Sequence, residues 1–100
     1  MNEILSHDIQ CFYRAILELK TEQECADFFN DICTIKELQD IAQRLEVAFM
    51  LDKGKNYLEI SALTGASTAT ISRVKKCLYY GSGGYRRAID RVGGEGEENQ

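Results

Sequence analysis

Residues 61–73 read SALTGASTATISR, and a single glycine separates two stretches that otherwise have the composition of helices. Upstream, Asn56 followed three positions later by Glu59 is a typical helix start, so a first short helix is predicted from Tyr57 to about Leu63. Gly65 can adopt the positive φ that ends a helix in a tight turn, and Ser67 or Thr68 can cap the helix that follows. The stretch therefore predicts two short helices joined by a turn.

The spacing of residues across these helices is that of a helix-turn-helix. With Tyr57 counted as the first position, apolar Ile60 is the fourth, small Ser61 the fifth and the glycine the ninth, while Ile71 and Val74 are the fifteenth and eighteenth. A helix-turn-helix needs a small residue where its two helices cross, and apolar residues that hold the second helix against the first. Both requirements are met, so the sequence predicts this motif.

The outward face of the second helix is small near its start and basic toward its end. The residues predicted to contact DNA are Ser67, Thr68, Ala69, Thr70, Ser72, Arg73, Lys75 and Lys76. Small side chains let a helix approach the floor of the major groove, where threonine and alanine can contact base edges, and basic side chains can bind phosphates. The structural alternative is an ordinary helical hairpin whose Ser/Thr-rich start serves only as a cap.

Charge is divided unevenly along the chain, whose net charge is −4. Residues 1–52 carry a net charge of −7, residues 53–92 a net charge of +6 and residues 93–100 a net charge of −3. An acidic half joined to a basic half is typical of a DNA-binding protein with a separate assembly region. Two alternatives are a solvated basic face and a protein-interaction module whose basic half docks on an acidic partner.

The composition favours an all-α fold, because proline is absent and glycine is sparse until late in the chain. Apolar residues at three- and four-residue steps predict a first helix that ends near Lys20. Thr21 with Glu24, and Thr34 with Glu37, predict capping boxes that start the second and third helices.

The expected organisation is one all-helical domain over residues 1–92 with an acidic, disordered tail over residues 93–100. Within the domain, residues 1–53 are predicted to form dimerisation helices, residues 56–80 the helix-turn-helix and residues 84–92 a C-terminal helix. The apolar stripes of the amino-terminal half exceed what a small monomer needs, which predicts a homodimer. The alternative is a monomer in which these helices pack on one another.

The sequence predicts neither an enzyme nor a metal site. Its four cysteines, Cys11, Cys25, Cys33 and Cys77, include no C-x-x-C pair, and His7 is the single histidine. These spacings favour reduced thiols in the core over a disulfide or a zinc site. No paired-carboxylate or glycine-rich phosphate motif occurs, so no catalytic residue is assigned. A signal peptide and a membrane span are also not recognised, which predicts a cytoplasmic protein.

Three segments carry a resemblance to a known family. TIKELQDIAQR at residues 34–44, LEISALT at residues 58–64 and GASTATISR at residues 65–73 resemble the tryptophan repressor superfamily, and more closely its YerC/YecD-type branch. The resemblance covers about residues 34–92. It implies an all-helical, intertwined homodimer that acts as a transcriptional regulator of the repressor type and binds an operator with two-fold symmetry.

The same resemblance implies a candidate pocket for a small ligand. In the tryptophan repressor the corepressor is held by a threonine, an arginine of the long preceding helix and an arginine of the reading helix, and Thr34, Arg44 and Arg73 match these positions. This sequence departs from the family at Val74, where the repressor has glycine against the indole ring, and at Cys77, where it has serine. A branched side chain fills a site that needs close approach. We therefore expect no required cofactor, with either constitutive DNA binding or a small ligand other than L-tryptophan.

Overall fold

The computed structural model describes the backbone of residues 3–98 and the side chains of residues 6–93. Every regular element of that backbone is a helix, which confirms the all-α class. The helices are α1 (Glu3–Leu17), α2 (Glu22–Ile32), α3 (Ile35–Asp52), α4 (Tyr57–Thr64), α5 (Thr68–Tyr80) and α6 (Gly84–Glu98). Across the described residues, no helix is long and apolar enough to cross a membrane.

Two threonines start α2 and α3 as the sequence predicts. Thr21 Oγ1 accepts a hydrogen bond from the Glu24 N–H at 3.0 Å, while the Glu24 carboxylate accepts from the Lys20 N–H, one residue earlier than a capping box requires. At α3 the box is complete, because the Glu37 N–H donates to Thr34 Oγ1 at 3.1 Å and the Thr34 N–H donates to Glu37 Oε1 at 2.8 Å. These bonds satisfy amide groups that the start of a helix leaves without partners.

The chain forms two compact units, Met1–Leu38 and Gln39–Gln100. Among the residues whose side chains are described, every buried one belongs to the second unit. They are Val47, Ala48, Leu51, Ile60, Ala66, Ile71, Val74, Leu78 and Ile89. These residues come from α3, α4, α5, α6 and the turn before α5, so one core holds the helix-turn-helix together.

The first unit contains an aromatic cluster but no fully buried side chain among its described residues. The rings of Phe12 and Phe28 stack with centroids 6.1 Å apart, and Phe29 meets Phe28 edge-on at 5.3 Å. Large apolar side chains nevertheless face outward, since Leu17 is 81% exposed and Ile35 is 78% exposed. In the isolated chain these helices therefore leave much of their apolar surface uncovered.

The expectation that the cysteines are core thiols is wrong. Cys11, Cys25 and Cys77 are exposed, Cys33 is half-buried, and all four are free. On α5 the core positions are Ile71, Val74 and Leu78, which follow the helical repeat, and Cys77 lies one residue off that repeat. In the part of the chain that the structure describes, no group of three or more His, Cys, Asp and Glu residues is arranged to hold a metal ion.

Helix α6 extends past residue 92, where the sequence predicts a disordered tail to begin directly afterwards. Ile89 is buried in the core, and a Cβ added at Gly93 would lie 3.7 Å from both Ile89 Cγ2 and Phe49 Cε1. The helix is thus anchored as far as Gly93, and each further residue of a formed helix adds one hydrogen bond. Residues 99 and 100 of the expected tail lie outside the described residues.

Candidate nucleic-acid interface

The turn between α4 and α5 depends on the backbone conformation of one glycine. Gly65 has a φ of 76° and donates its N–H to the Ser61 carbonyl at 2.8 Å. A Cβ at this position would meet no atom within 4 Å, so glycine is favoured by its left-handed backbone and not by lack of space. Gln43 Nε2 donates to the Thr64 carbonyl at 3.0 Å, and Thr64 Oγ1 accepts from the Ala66 N–H at 3.1 Å. These bonds fix the junction of the two helices to each other and to α3.

The second helix of the motif is held in place by the residues that the spacing selects. The exposed fraction is at most 1% for Ile60 of α4 and for Ile71 and Val74 of α5. Leu78 continues the same stripe one turn further along α5. Because one face of α5 is buried in the core, its opposite face points outward.

That outward face carries the residues predicted to contact DNA. Seven of them are exposed, and they are Ser67, Thr68, Ala69, Ser72, Arg73, Lys75 and Lys76. Thr70 is half-buried. The structure therefore places these residues together on one helix and its cap.

Two hydroxyl groups at the start of α5 are engaged within the protein. Ser67 is the N-cap, and its Oγ accepts a hydrogen bond from the Thr70 N–H at 3.1 Å. The same Ser67 hydroxyl donates to Thr70 Oγ1 at 3.1 Å. Thr68 and Ala69 lie between them, exposed, so they are the residues of the first turn best placed to meet a base edge.

Tyr57 is a residue of this face that sequence reasoning missed. Its hydroxyl accepts a hydrogen bond from Ser72 Oγ at 3.3 Å, and its ring lies 5.7 Å from Lys75 Nζ in cation–π geometry. Tyr57 is the first residue of α4, fifteen positions before Ser72, and helical periodicity does not report contacts across that separation. The signal in the sequence is the position of Tyr57 at the start of the motif, next to the Asn56 cap. In the sequence analysis Tyr57 served only as the first position from which the motif is counted.

The electrostatic character of α5 is uniformly positive. Its charged residues are Arg73, Lys75 and Lys76, and the helix contains no acidic residue. Within the described residues, none of these three cations forms an ion pair. They are therefore available to an external anion, such as a phosphate of nucleic acid.

The five residues matched to the family's ligand pocket are divided between the two units. Thr34 belongs to the first unit, where it is exposed and caps α3. In the second unit Arg44 is half-buried, Arg73 is exposed and Val74 is 1% exposed within the core. Cys77 lines an open cavity of about 380 Å³ with Gly81, Ser82, Gly84 and Tyr85, and neither arginine contributes to that lining.

Known proteins are similar to this chain in sequence and in fold. The family model described as Trp repressor protein matches residues 7–93. The uncharacterised protein YerC of Bacillus subtilis (strain 168) is 51% identical over 92 residues, which are 92% of this chain and 88% of the relative.

Two solved structures share the fold along nearly the whole chain. The crystal structure of a TrpR-like protein from Eubacterium eligens ATCC 27750 superimposes with a TM-score of 0.84 at 49% identity, covering 87% of this chain and 90% of that one. A crystal structure from Staphylococcus aureus also gives a TM-score of 0.84, at 41% identity, covering 93% of this chain and 96% of the other. The family model spans far more than half of the sequence, and the relatives agree with it. The chain belongs to the Trp repressor family, a family of DNA-binding regulators.

Proposed function

We propose that this protein is a sequence-specific DNA-binding regulator of transcription that reads the major groove with α5. The observation that carries the proposal is the outward face of α5, where small side chains near the start precede three cations without ion-pair partners in the described chain. A helix locked from behind by Ile60, Ile71 and Val74 can present such a face without distortion. The proposal involves no catalytic step.

The residues of this face take different roles. Thr68 and Ala69 are exposed, and within the described residues their side chains form no hydrogen bond, so they can contact thymine methyl groups or base edges. Ser67 and Thr70 form the cap, so they contribute by fixing the first turn and by their backbone amides. Arg73, Lys75 and Lys76 bind phosphates, which sets affinity and orientation but carries little sequence information.

Assembly as a homodimer on a two-fold symmetric operator is part of the proposal. It is supported by the exposed apolar residues of the first unit, above all Leu17 and Ile35, and by the absence of any buried side chain among that unit's described residues. A second copy of the chain would cover such surface. Two copies of α5 would then read half-sites about one helical turn, roughly 34 Å, apart.

DNA binding is proposed to be independent of L-tryptophan. Val74 is 1% exposed and belongs to the core that holds α5, so its side chain occupies the position where a corepressor ring would need open space. The resemblance to the Trp repressor favours repression over activation of transcription. The selection experiment below identifies the operator sequence.

The test is selection of duplexes from a randomised pool at physiological salt, in parallel with and without L-tryptophan. Enrichment of the same palindromic site in both arms is the expected result. Enrichment only with L-tryptophan would overturn the ligand-independent part of the proposal. If neither arm yields a site and binding disappears at physiological salt, the DNA-binding proposal is wrong and the alternative, in which the basic half docks on an acidic partner, is favoured.

A further inference from the structure

A second positive cluster lies on α6, outside the helix-turn-helix. Arg86, Arg87 and Arg91 line an open cavity of about 370 Å³ together with Gly83 and Asp90. Three guanidinium groups and one carboxylate give the lining a net positive charge. The cavity is separate from the one beside Cys77, with which it shares no lining residue.

The positive charge of Arg86 is paired with two carboxylates. Its Nη1 lies 2.8 Å from Asp52 Oδ1 and 3.4 Å from Asp90 Oδ1. The hydrogen bond to Asp52 raises the pKa of Arg86 above its ordinary value, and the Asp90 carboxylate adds to the effect. Asp52 closes α3 and Arg86 lies in the first turn of α6, so this arginine joins two helices and fixes one wall of the cavity.

Arg87 and Arg91 are the uncompensated members of the cluster. Both are exposed, and neither forms an ion pair within the described chain. They are four residues apart on one helix, a spacing at which like charges face each other and destabilise the helix. The carboxylate of the same cavity, Asp90, is paired with Arg86. In an acidic protein, two adjacent cations that do not pair with this carboxylate are better explained by an external anion than by the stability of α6.

We propose that Arg87 and Arg91 bind a phosphate group in this cavity, beside the immobilised Arg86. The planar fork of a guanidinium matches the oxygens of a phosphate, and two forks at neighbouring positions can share one group. The phosphate belongs either to the DNA backbone or to a soluble phosphorylated molecule. The soluble case is independent of the proposed function, and the backbone case rests on it.

Pyrophosphate titration of the full chain by calorimetry, at constant ionic strength, tests the site without DNA. Replacing both arginines, Arg87→Gln with Arg91→Gln, is expected to raise the Kd for pyrophosphate by about tenfold or more, as loss of charge-assisted hydrogen bonds requires. Arg14→Gln, which removes an exposed arginine from α1, is the matched control and is expected to change nothing. Arg87→Lys with Arg91→Lys keeps the charge but loses the forks, so an intermediate Kd is expected.

The same variants in a DNA-binding titration separate the two sources of phosphate. If the DNA backbone is the ligand, the Gln variant binds DNA more weakly and the slope of log K against log[salt] falls by about two. If a soluble phosphate is the ligand, pyrophosphate affinity falls while DNA affinity stays at the parental value. Parental behaviour of the Gln variant in both titrations overturns the site. A parent that binds pyrophosphate but no DNA at all overturns the proposed function and leaves the site standing.

Discussion

Lys75 Nζ lies 5.7 Å from the centre of the Tyr57 ring, so the first residue of α4 contacts a basic residue near the middle of α5. The same tyrosine accepts the Ser72 hydroxyl at 3.3 Å. Lysine side chains are flexible, and a ring beneath the ammonium group restricts where the charge can be held. We therefore infer that Tyr57 is a positioning residue for Lys75, which is proposed to bind a phosphate of DNA.

Tyr57→Leu is expected to weaken DNA binding by about two- to fivefold, since a cation–π contact at an exposed site contributes about 0.5–1 kcal/mol. Tyr57→Phe keeps the ring and removes only the hydroxyl, so it should retain most of the affinity. Fluorescence anisotropy with a labelled duplex measures both. A Leu variant with parental affinity would show that the contact does not position Lys75 for DNA.

Lys76→Ala should lower affinity by a similar factor for specific and unrelated duplexes. A phosphate contact carries no sequence information, and its loss should reduce the slope of log K against log[salt] by about one. Lys20→Ala, an exposed lysine outside the helix-turn-helix, is the control of equal charge. An unchanged salt slope for Lys76→Ala would remove this residue from the interface.

Thr68→Ala should change which sequence is preferred more than it changes non-specific affinity. Loss of a base contact costs about 1–3 kcal/mol at one position of the site. Repeating the duplex selection with this variant measures the effect as relaxed preference at one base pair of each half-site. If the selected site is identical to that of the parent, Thr68 does not read a base.

Gly65→Ala is expected to destabilise the protein by about 1–2 kcal/mol, because alanine must adopt a left-handed backbone there. A steric clash does not contribute to this loss of stability, since a Cβ would meet no atom within 4 Å. Gly84→Ala is matched, because a Cβ there also meets nothing within 4 Å and its φ is not in the left-handed region. Urea unfolding should place the second variant within about 0.5 kcal/mol of the parent. Equal losses in both would contradict the account of the turn.

L-Tryptophan should alter neither the midpoint of thermal unfolding nor the DNA affinity. A ligand that binds the folded state raises its stability by mass action, so the midpoint is a sensitive test of binding. The chain contains no tryptophan, which allows the fluorescence of the added amino acid to be followed directly. A saturable rise in the unfolding midpoint would show that Val74 leaves room for the indole ring.

Local chemistry made much of this fold predictable. The Thr34–Glu37 and Asn56–Glu59 boxes join residues three apart, and the structure shows both pairs of hydrogen bonds. The turn glycine and the buried positions of α5 follow from backbone preference and helical period in the same way.

Features that depend on distant contacts were not predictable. Whether Cys77 or Leu78 faces the core is decided by packing against other helices, and composition suggested a buried thiol where the structure has an exposed one. The Tyr57–Lys75 contact and the Asp52–Arg86 ion pair join different helices, so no periodicity reports them. The proximity of Gly93 to Phe49 is a tertiary contact of the same kind.

The most direct test of the central claim is mapping of backbone amide shifts by NMR, with the full chain titrated with its selected duplex and with a scrambled duplex of equal length. If α5 reads bases, the specific duplex should perturb Thr68, Ala69 and Ser72 most strongly, while the scrambled duplex should mainly affect Arg73, Lys75 and Lys76. Perturbations centred on another helix, with the amides of α5 unchanged by the specific duplex, would contradict this claim.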